Sequence, residues 1–184
     1  MVTAAPGEDR SPALALVNTR RPAADDLATP GAAADWLREH GLEAAVSGPD
    51  SLRRLTDLRA AVRELLAALA EGRTPDAAAI QTVNTAARTD AAALQLAWRD
   101  GPLSEWQSAR PGTLEAAMAA LSRDAIEVVS GALGPLVRPC EAHGCIRYYL
   151  REHARRRWCS TTCGDRVRAA RHHRLVVEQR DEPR

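Results

Sequence analysis

Apolar residues recur at helical spacing along most of the chain, which predicts a mainly α-helical body. Leucine and valine residues three or four positions apart predict a long helix over Asp50–Glu71. Gly72 is expected to end this helix, because glycine readily adopts the left-handed backbone found just after a helix. A similar apolar run after Gly112 predicts another helix, which ends at Gly131.

Two Thr-Pro pairs predict further helix starts. Threonine caps a helix N-terminus, and proline fits the first helical position because its missing N–H is not needed there. Thr29-Pro30 therefore predicts a helix that runs to Gly41, and Thr74-Pro75 predicts a third helix after the long one.

Alternating apolar residues predict strands in two places. Ala13–Thr19 is predicted as a short strand, because its leucines would share one side. Ala92–Trp98 alternates more clearly, and a turn at Asp100-Gly101 leads to a return strand over Leu103–Trp106. The polar residues 1–12 predict a terminus with little fixed structure. The predicted fold class is α+β, mainly α, with a small antiparallel sheet in the helical N-terminal domain.

All four cysteines lie in the last quarter of the chain and predict one structural zinc site. They are spaced C-x4-C-x13-C-x3-C: Cys140, Cys145, Cys159 and Cys163. Four thiolates at about 2.3 Å complete a tetrahedral zinc site and leave no open position for catalysis. The alternatives are two disulfides or four unrelated buried thiols. Disulfides belong to oxidising compartments, and nothing in the sequence marks secretion.

The cysteine segment predicts a treble-clef-like zinc finger over residues 138–184, following a helical domain over residues 1–137. Its expected parts are a knuckle at Cys140–Cys145, a strand at Ile146–Leu150 and a helix at Thr161–Val177 capped by Ser160. One face of that helix is predicted to pack on the rest of the finger: Cys163, Val167, Ala170 and Val177.

Length and composition restrict the class of protein. The 184 residues suit one ordinary domain with a small appendage, and 45% are hydrophobic, enough for a core. No apolar run approaches the length that crosses a bilayer, so no membrane partner is expected. The first residues do not have the pattern of a secretory signal. We therefore expect a cytoplasmic, reducing location, which agrees with thiolate ligands.

The charge distribution is more informative than the net charge of +1. Residues 1–137 contain 13 arginines and 18 acidic residues, a balance of −5. Residues 138–184 contain 12 arginines and 6 acidic residues, a balance of +6. A basic finger on an acidic body suggests an anionic partner for the finger.

The candidate nucleic-acid contacts are the basic residues around the predicted finger helix. They are Arg155, Arg156, Arg157, Arg166, Arg168, Arg171 and His172. The planar fork of arginine suits phosphates and guanine edges. The alternative is that these arginines pair with acidic residues of the body or of a protein partner.

A small-molecule effector and a homodimer are further expectations for the body. Asn18 at the end of the first predicted strand and Arg20 and Arg21 just after it could line a ligand pocket. The leucine and alanine faces could pack internally or across a homodimer. No HExxH motif, glycine-rich phosphate loop or nucleophile elbow is present, so no enzyme is predicted.

Two stretches of the sequence resemble known families. Arg156–Ser160 followed by Cys163–Arg166 resembles the CGNR zinc finger. The stretches Leu14–Thr19, Asp26–Pro30 and Asp35–Leu37 resemble the ABATE domain that usually precedes it. Members are described as stress-induced transcription regulators, and the resemblance implies zinc on the four cysteines and nucleic acid on the finger.

The resemblance also marks Gly164 and Arg166 as motif positions. Asp165 stands where the family usually has asparagine, and we expect it to cap the first turn of the helix. The predicted function is a zinc-dependent, nucleic-acid-binding transcription regulator, in which the basic finger contacts DNA and the helical domain senses a ligand or mediates association. The alternative is a protein-interaction module in which zinc is purely structural.

Overall fold

The computed structural model describes residues 3–181, with side chains up to Arg174. Within this part the chain is α+β and mainly helical. The helices are α1 (Pro12–Asn18), α2 (Pro30–Glu39), α3 (Pro49–Glu71), α4 (Ala77–Ala87), α5 (Leu114–Ser130) and α6 (Thr161–Asp181), with a short 3₁₀ helix at Gly134–Leu136. The strands are β1 (Arg20–Arg21), β2 (Ala24–Asp25), β3 (Ala93–Trp98), β4 (Pro102–Gln107), β5 (Val137–Pro139) and β6 (Tyr148–Leu150).

Helix α3 organises the core, and its prediction is confirmed to within one residue. It packs against α1, α4, α5 and β5. Leu55, Leu58, Val62 and Leu66 lie on its inner face and are at most 1% exposed. Burying each such side chain contributes roughly 2 kcal/mol of transfer free energy. The helix ends at Gly72, whose φ of 67° is the left-handed conformation expected there.

The segment predicted as a strand at Ala13–Thr19 is a helix, so this prediction is wrong. Every residue from Ala13 to Asn18 is buried in α1, so the leucine alternation did not distinguish a buried face from an exposed one. The start signal is Ser11-Pro12. The Ser11 hydroxyl accepts the backbone N–H of Leu14 at 3.1 Å, and Pro12 occupies the first turn.

The two Thr-Pro pairs have different outcomes. The Thr29 hydroxyl accepts the Ala32 N–H at 3.2 Å and begins α2 as predicted. Helix α4 begins two residues later than Thr74-Pro75 suggests, after Asp76. The backbone N–H of Asp76 instead donates to the carboxylate of Glu64, at 3.2 Å.

The strands form three separate two-stranded antiparallel ladders within the described residues, β1–β2, β3–β4 and β5–β6. The predicted hairpin is confirmed as β3–β4, in which Leu94 lies opposite Trp106. Pro102 is the first residue of β4 and lies opposite Trp98, an end position where its missing N–H is tolerated. Strand β5 spans the boundary predicted between residues 137 and 138, and that division stays a prediction.

The terminus predicted to lack fixed structure is ordered over residues 3–11 and contacts β6 at Pro6 and Gly7. The backbone N–H of Leu150 donates to the carbonyl of Pro6 at 2.8 Å. Gly7 has a φ of 95° and lies directly on Leu150, where a Cβ would come within 2.4 Å of the leucine Cγ. Only glycine fits this approach. Residues 1 and 2 lie outside the described part.

No helix among those described combines the length and the apolar character needed to cross a bilayer.

Candidate metal centre and basic surface

The four cysteine sulfurs converge in one cluster. Their Sγ atoms all lie within 4.8 Å of one another, and all four cysteines are free thiols. The Sγ of Cys159 lies 3.8 Å from that of Cys145 and 3.7 Å from that of Cys163. A tetrahedron with zinc–sulfur distances of about 2.3 Å has sulfur–sulfur edges of about 3.8 Å. The cluster therefore fits a tetrahedral metal ion, and the disulfide alternative is set aside.

The first cysteine pair is positioned by a tight turn. Cys145 N–H donates to the Ala142 carbonyl at 2.9 Å, and Gly144 has a φ of 72°. Cys140 N–H donates to the Arg147 carbonyl at 2.9 Å, which extends the β5–β6 ladder to the knuckle. The predicted knuckle is thus present, and Gly144 allows its turn.

The second pair lies at the start of α6. The Ser160 hydroxyl accepts the Cys163 N–H at 3.2 Å, as predicted for its N-cap. The Cys159 N–H points at the Cys140 sulfur, 3.3 Å away. Backbone N–H groups and the positive end of the helix dipole both favour negative charge on these sulfurs.

The close approach of the sulfurs couples their protonation. Hydrogen bonds from Cys145 and Cys159 lower the pKa of Cys140, because they stabilise its thiolate. The hydrogen bonds to Cys140 raise the pKa of Cys145 and of Cys159, because each of these thiols donates its proton to the Cys140 thiolate. A divalent cation removes this conflict, since it compensates all four thiolates together.

Tyr149 closes the interior side of the cluster. It is fully buried with Cys140 and Cys159, and its hydroxyl donates to the Arg156 carbonyl at 2.8 Å. Of the two adjacent tyrosines, Tyr149 packs with the cysteine cluster, while Tyr148 belongs to the core of the body. The hydroxyl bond also anchors the arginine-rich segment that leads to the second cysteine pair.

A basic groove lies beside the metal cluster. We use this name for a cavity of about 330 Å³ between residues 153–158 and the first turns of α6. Arg155, Arg156, Arg157 and Arg168 line it together with Trp158. Four of the seven predicted nucleic-acid residues therefore meet in one place.

Gly164 permits the packing that forms the floor of this groove. A Cβ at Gly164 would lie 3.0 Å from the Trp158 ring and 3.2 Å from the Arg168 guanidinium. The carbon of the Arg168 guanidinium lies 5.9 Å from the centre of the same ring. This distance is just inside the limit of about 6 Å for a cation–π contact. The glycine of the motif thus has a packing role.

The other predicted basic residues extend away from the groove along α6. Arg171 and His172 are exposed three and four residues after Arg168, so they continue its side of the helix. Arg166 points to the other flank, where it lines a cavity of about 360 Å³ beside Cys145 and Cys163.

The packed face of α6 is shorter than predicted. Val167 is partly buried against the cysteine cluster, but Ala170 is exposed. The side chain of Val177 lies outside the described part. Helix α6 is therefore held at its first two turns, and the following turn through Arg174 faces solvent.

Two of the seven basic residues form ion pairs, and both pairs lie inside the finger. Arg157 contacts Glu141 at 2.6 Å, and Arg168 contacts Asp165 at 2.5 Å. Among the described ion pairs, none joins these seven residues to the acidic body. Asp165 was expected to cap the helix, but its exposed carboxylate accepts from Arg168, and Ser160 is the cap instead.

Asn18, predicted as a ligand contact, reaches β6. Its amide N–H donates to the Tyr148 carbonyl at 2.8 Å, and its amide oxygen accepts the Tyr148 N–H at 2.9 Å. Neighbouring residues of an antiparallel strand point their backbone groups to alternate sides. Cys140 pairs with Arg147, so Tyr148 points away from β5, and the Asn18 side chain takes the place of a third strand.

Arg20 and Arg21 lie at the surface beside acidic residues. Arg20 is exposed and contacts Asp25 at 3.2 Å. Arg21 binds Asp26 with both guanidinium nitrogens, and these hydrogen bonds raise the pKa of Arg21. Asn18 and Arg21 line a polar cavity of about 300 Å³, whereas Arg20 does not.

Sequence reasoning missed the residues that join the finger to the body. The guanidinium of Arg147 is 8% exposed and contacts Glu8 at 2.7 Å and the Thr3 carbonyl at 3.0 Å. Arg63 donates to the carbonyls of Val17 and Ile146, each at 2.6 Å. For Arg63 the sequence did contain a signal, which was its position next to Val62 and therefore beside the apolar face of α3.

The fold and the site together define a class of protein, a helical body followed by a treble-clef-like finger with a four-cysteine metal centre. Residues 10–132 match the ABATE family, described as "Putative stress-induced transcription regulator", and residues 137–174 match the CGNR zinc finger. The chain therefore belongs to the ABATE family and carries a CGNR zinc finger, which confirms the resemblance. Both descriptions concern regulation and zinc binding, not catalysis. A comparison with curated proteins gives no match.

Proposed function

We propose that the chain is a zinc-dependent transcription regulator whose finger binds nucleic acid, with DNA preferred to RNA. The observation that carries the proposal is the basic groove together with the exposed arginines of α6. Among the described contacts these side chains have no ion pair with the body. Arg157 and Arg168 pair with Glu141 and Asp165 inside the finger, so the charge that supports the proposal is mainly that of Arg155, Arg156 and Arg171. Guanidinium groups bind phosphate in a bidentate manner, and the Trp158 ring supports the guanidinium of Arg168.

One zinc ion with a structural role is part of the proposal. Four thiolates fill the tetrahedral coordination of zinc, so no position remains for a substrate, and we propose no catalytic role. Zinc would hold the knuckle and the start of α6 in a fixed relation, and the start of α6 forms one side of the basic groove. Thiolate ligands favour a reducing compartment, so we propose a cytoplasmic location.

The dimensions of α6 support the preference for DNA. The helix has 21 residues and would extend about 30 Å at 1.5 Å per residue. The major groove of B-DNA admits a helix, whereas that of A-form RNA is too deep and narrow for side chains to read. Arg171 and His172, exposed beyond the groove, would reach along the DNA while Arg155–Arg157 contact the backbone.

Salt-dependent binding tests this proposal. The zinc-loaded chain should bind duplex DNA with an affinity that falls steeply with salt, because each phosphate contact releases counterions. Replacing Arg155, Arg156 and Arg157 together with alanine should reduce the slope of log K against log salt by about 2 to 3. Duplex RNA of the same sequence should bind more weakly.

A charge-matched variant of the body is the control. Arg38, Arg53 and Arg99 are exposed and lie outside the finger, with 62%, 65% and 71% of their side chains accessible. Their triple alanine variant loses the same formal charge and should keep the full slope. If both triple variants change the slope equally, or if the parent chain does not bind at low salt, the groove is not a nucleic-acid site. The finger arginines would then be assigned to an acidic protein partner.

We also propose that the polar cavity at Asn18 and Arg21 accepts a small polar effector. Its stacked Trp36 and His40 rings, with centres 4.1 Å apart, supply an aromatic wall. Arg20 would act at the rim. A set of nucleotides and amino acids can be tested for a rise in melting temperature of the zinc-loaded chain. An effector bound here should lose its effect in the Arg21→Ala variant and keep it in Arg38→Ala.

A further inference from the structure

The hairpin β3–β4 has an apolar face that the described residues leave largely uncovered. Leu96 and Trp98 are 75% and 71% exposed, and Leu94 and Trp106 are 57% and 55% exposed. Isolated exposed apolar residues are common, but four adjacent ones with two tryptophans are not.

The strand register places these side chains on the same face. Leu94 lies opposite Trp106, and Trp98 lies opposite Pro102. Leu94, Leu96 and Trp98 alternate along β3, so they point to one side. Ser104, opposite Leu96, is the only polar residue among the six side chains of this face, and none of the six is charged.

The opposite face of the hairpin differs in burial and polarity. It contains Ala97, Leu103 and Glu105, which are half-buried, and the exposed Gln95 and Gln107. Trp106 also contacts the body, because the carbon of the Arg123 guanidinium lies 5.1 Å from the centre of its ring. Apart from this contact at Trp106, the apolar face of the hairpin is exposed, from 55% at Trp106 to 75% at Leu96.

We propose that this apolar face is a homodimer interface, in which the hairpins of two copies pack face to face about a two-fold axis. In such an interface each copy contributes the same patch, so the patch must be complementary to itself. An uncharged apolar face meets this requirement, because no like charges are brought together.

The area also agrees with a dimer. A tryptophan buries about 150–250 Å², so the four exposed side chains offer on the order of 500 Å² per copy. Two copies would bury about 1,000 Å², which reaches the lower limit for a specific interface. A contact of this size without charged pairs is expected to have a dissociation constant of about 1 to 100 µM.

This inference does not depend on nucleic-acid binding. It assigns the homodimer to the hairpin and not to the leucine and alanine faces of the helices, whose leucines are buried in the core of the single chain. A dimer would carry two zinc fingers, so two weak contacts to one duplex would reinforce each other.

Analytical ultracentrifugation of the zinc-loaded chain between about 1 and 200 µM tests the inference, since this range brackets the expected dissociation constant. The parent chain should shift from monomer to dimer with rising concentration. The double variant Leu96→Ser, Trp98→Ser should weaken dimerisation at least tenfold. The double variant Gln95→Ser, Gln107→Ser, on the opposite face, should dimerise like the parent chain. Far-UV circular dichroism and zinc content should be the same in all three.

Each other outcome overturns the inference. If the parent chain stays monomeric throughout the concentration range, a second copy does not cover this face. Binding to lipid vesicles or to another protein would then identify a different occupant. A dimer that both double variants form equally well would have its interface elsewhere on the chain.

Discussion

The replacement Asn18→Ala should destabilise the whole chain, because one side chain joins α1 of the body to β6 of the finger. The amide group of Asn18 is 3% exposed and makes two hydrogen bonds to Tyr148 and a third to the Glu8 carboxylate, at 2.6 Å. Alanine removes all three. The Tyr148 N–H and carbonyl would remain buried without partners, since β5 pairs with the other edge of β6.

The structure gives the size of the effect. A buried polar group left without a partner costs about 1–3 kcal/mol, and the variant creates two of them on Tyr148. Glu8 keeps its contact with Arg147 and adds less. We expect a decrease in the free energy of unfolding of about 4 kcal/mol.

Urea unfolding of the zinc-loaded chain, followed by circular dichroism, measures this decrease, and hydrogen exchange of the Tyr148 amide locates it. Asn84→Ala is a matched control because Asn84 is the other asparagine of the chain and is exposed on α4. The control should change stability by less than about 0.5 kcal/mol. A loss below about 1 kcal/mol in Asn18→Ala, or unchanged exchange at Tyr148, would refute the role assigned to Asn18.

Three further predictions concern the metal, a close contact and pH. Cys159→Ser removes a central ligand of the cluster and should abolish zinc binding, measured by elemental analysis, and with it the fold of the finger. Gly7→Ala combines a φ of 95° with a Cβ 2.4 Å from Leu150 Cγ and should cost about 3 kcal/mol in urea unfolding. Hydrogen bonds from Arg59 lower the pKa of Asp25 to about 2 from 3.8. The resulting stabilisation, about 2 kcal/mol, is complete above about pH 4 and is lost as pH falls towards 2, so Asp25→Asn should show a shallower acid destabilisation than the parent chain.

Specific results would contradict each of these. One equivalent of zinc retained by Cys159→Ser at unchanged affinity would remove that cysteine from the ligands. A cost in Gly7→Ala no greater than in Gly41→Ala, where φ is 70° but no atom lies within 4 Å of the added Cβ, would exclude the Leu150 contact as its cause. If the stability of Asp25→Asn and of the parent chain depends on acid pH in the same way, folding does not lower the pKa of Asp25. Zinc release at low pH would affect both chains alike.

Local signals in the sequence were reliable where one physical requirement dominated. The cysteine spacing predicted the cluster, because only a few chain lengths allow four thiolates to reach one ion. Helix α3 was predicted to within one residue, because its apolar face is clearly separated from its polar face. Ala13–Thr19 was assigned to the wrong element because α1 is buried on all sides, and a fully buried segment has no periodic pattern to read.

The basic surface was predicted as a set of residues but not as a groove. The sequence could show that Arg155–Arg157 and Arg168 are basic, and the helical period related Arg168 to Arg171. It could not show that the first group faces the second, because that depends on how the Trp158 ring packs over Gly164. Packing likewise decides that Arg168 lines the groove whereas Arg166 lies on the other flank of α6.

The sequence by itself therefore determined the helical body, the β3–β4 hairpin, the four metal ligands and the family to which the chain belongs. These features follow from patterns within a few turns of chain or from the fixed coordination of an ion. Only the tertiary structure decided that Asn18 binds β6, that Arg147 and Arg63 join the finger to the body, and that the hairpin presents two tryptophans to solvent. Each of these depends on contacts between segments distant in the chain, and local periodicity carries no information about which distant groups will meet.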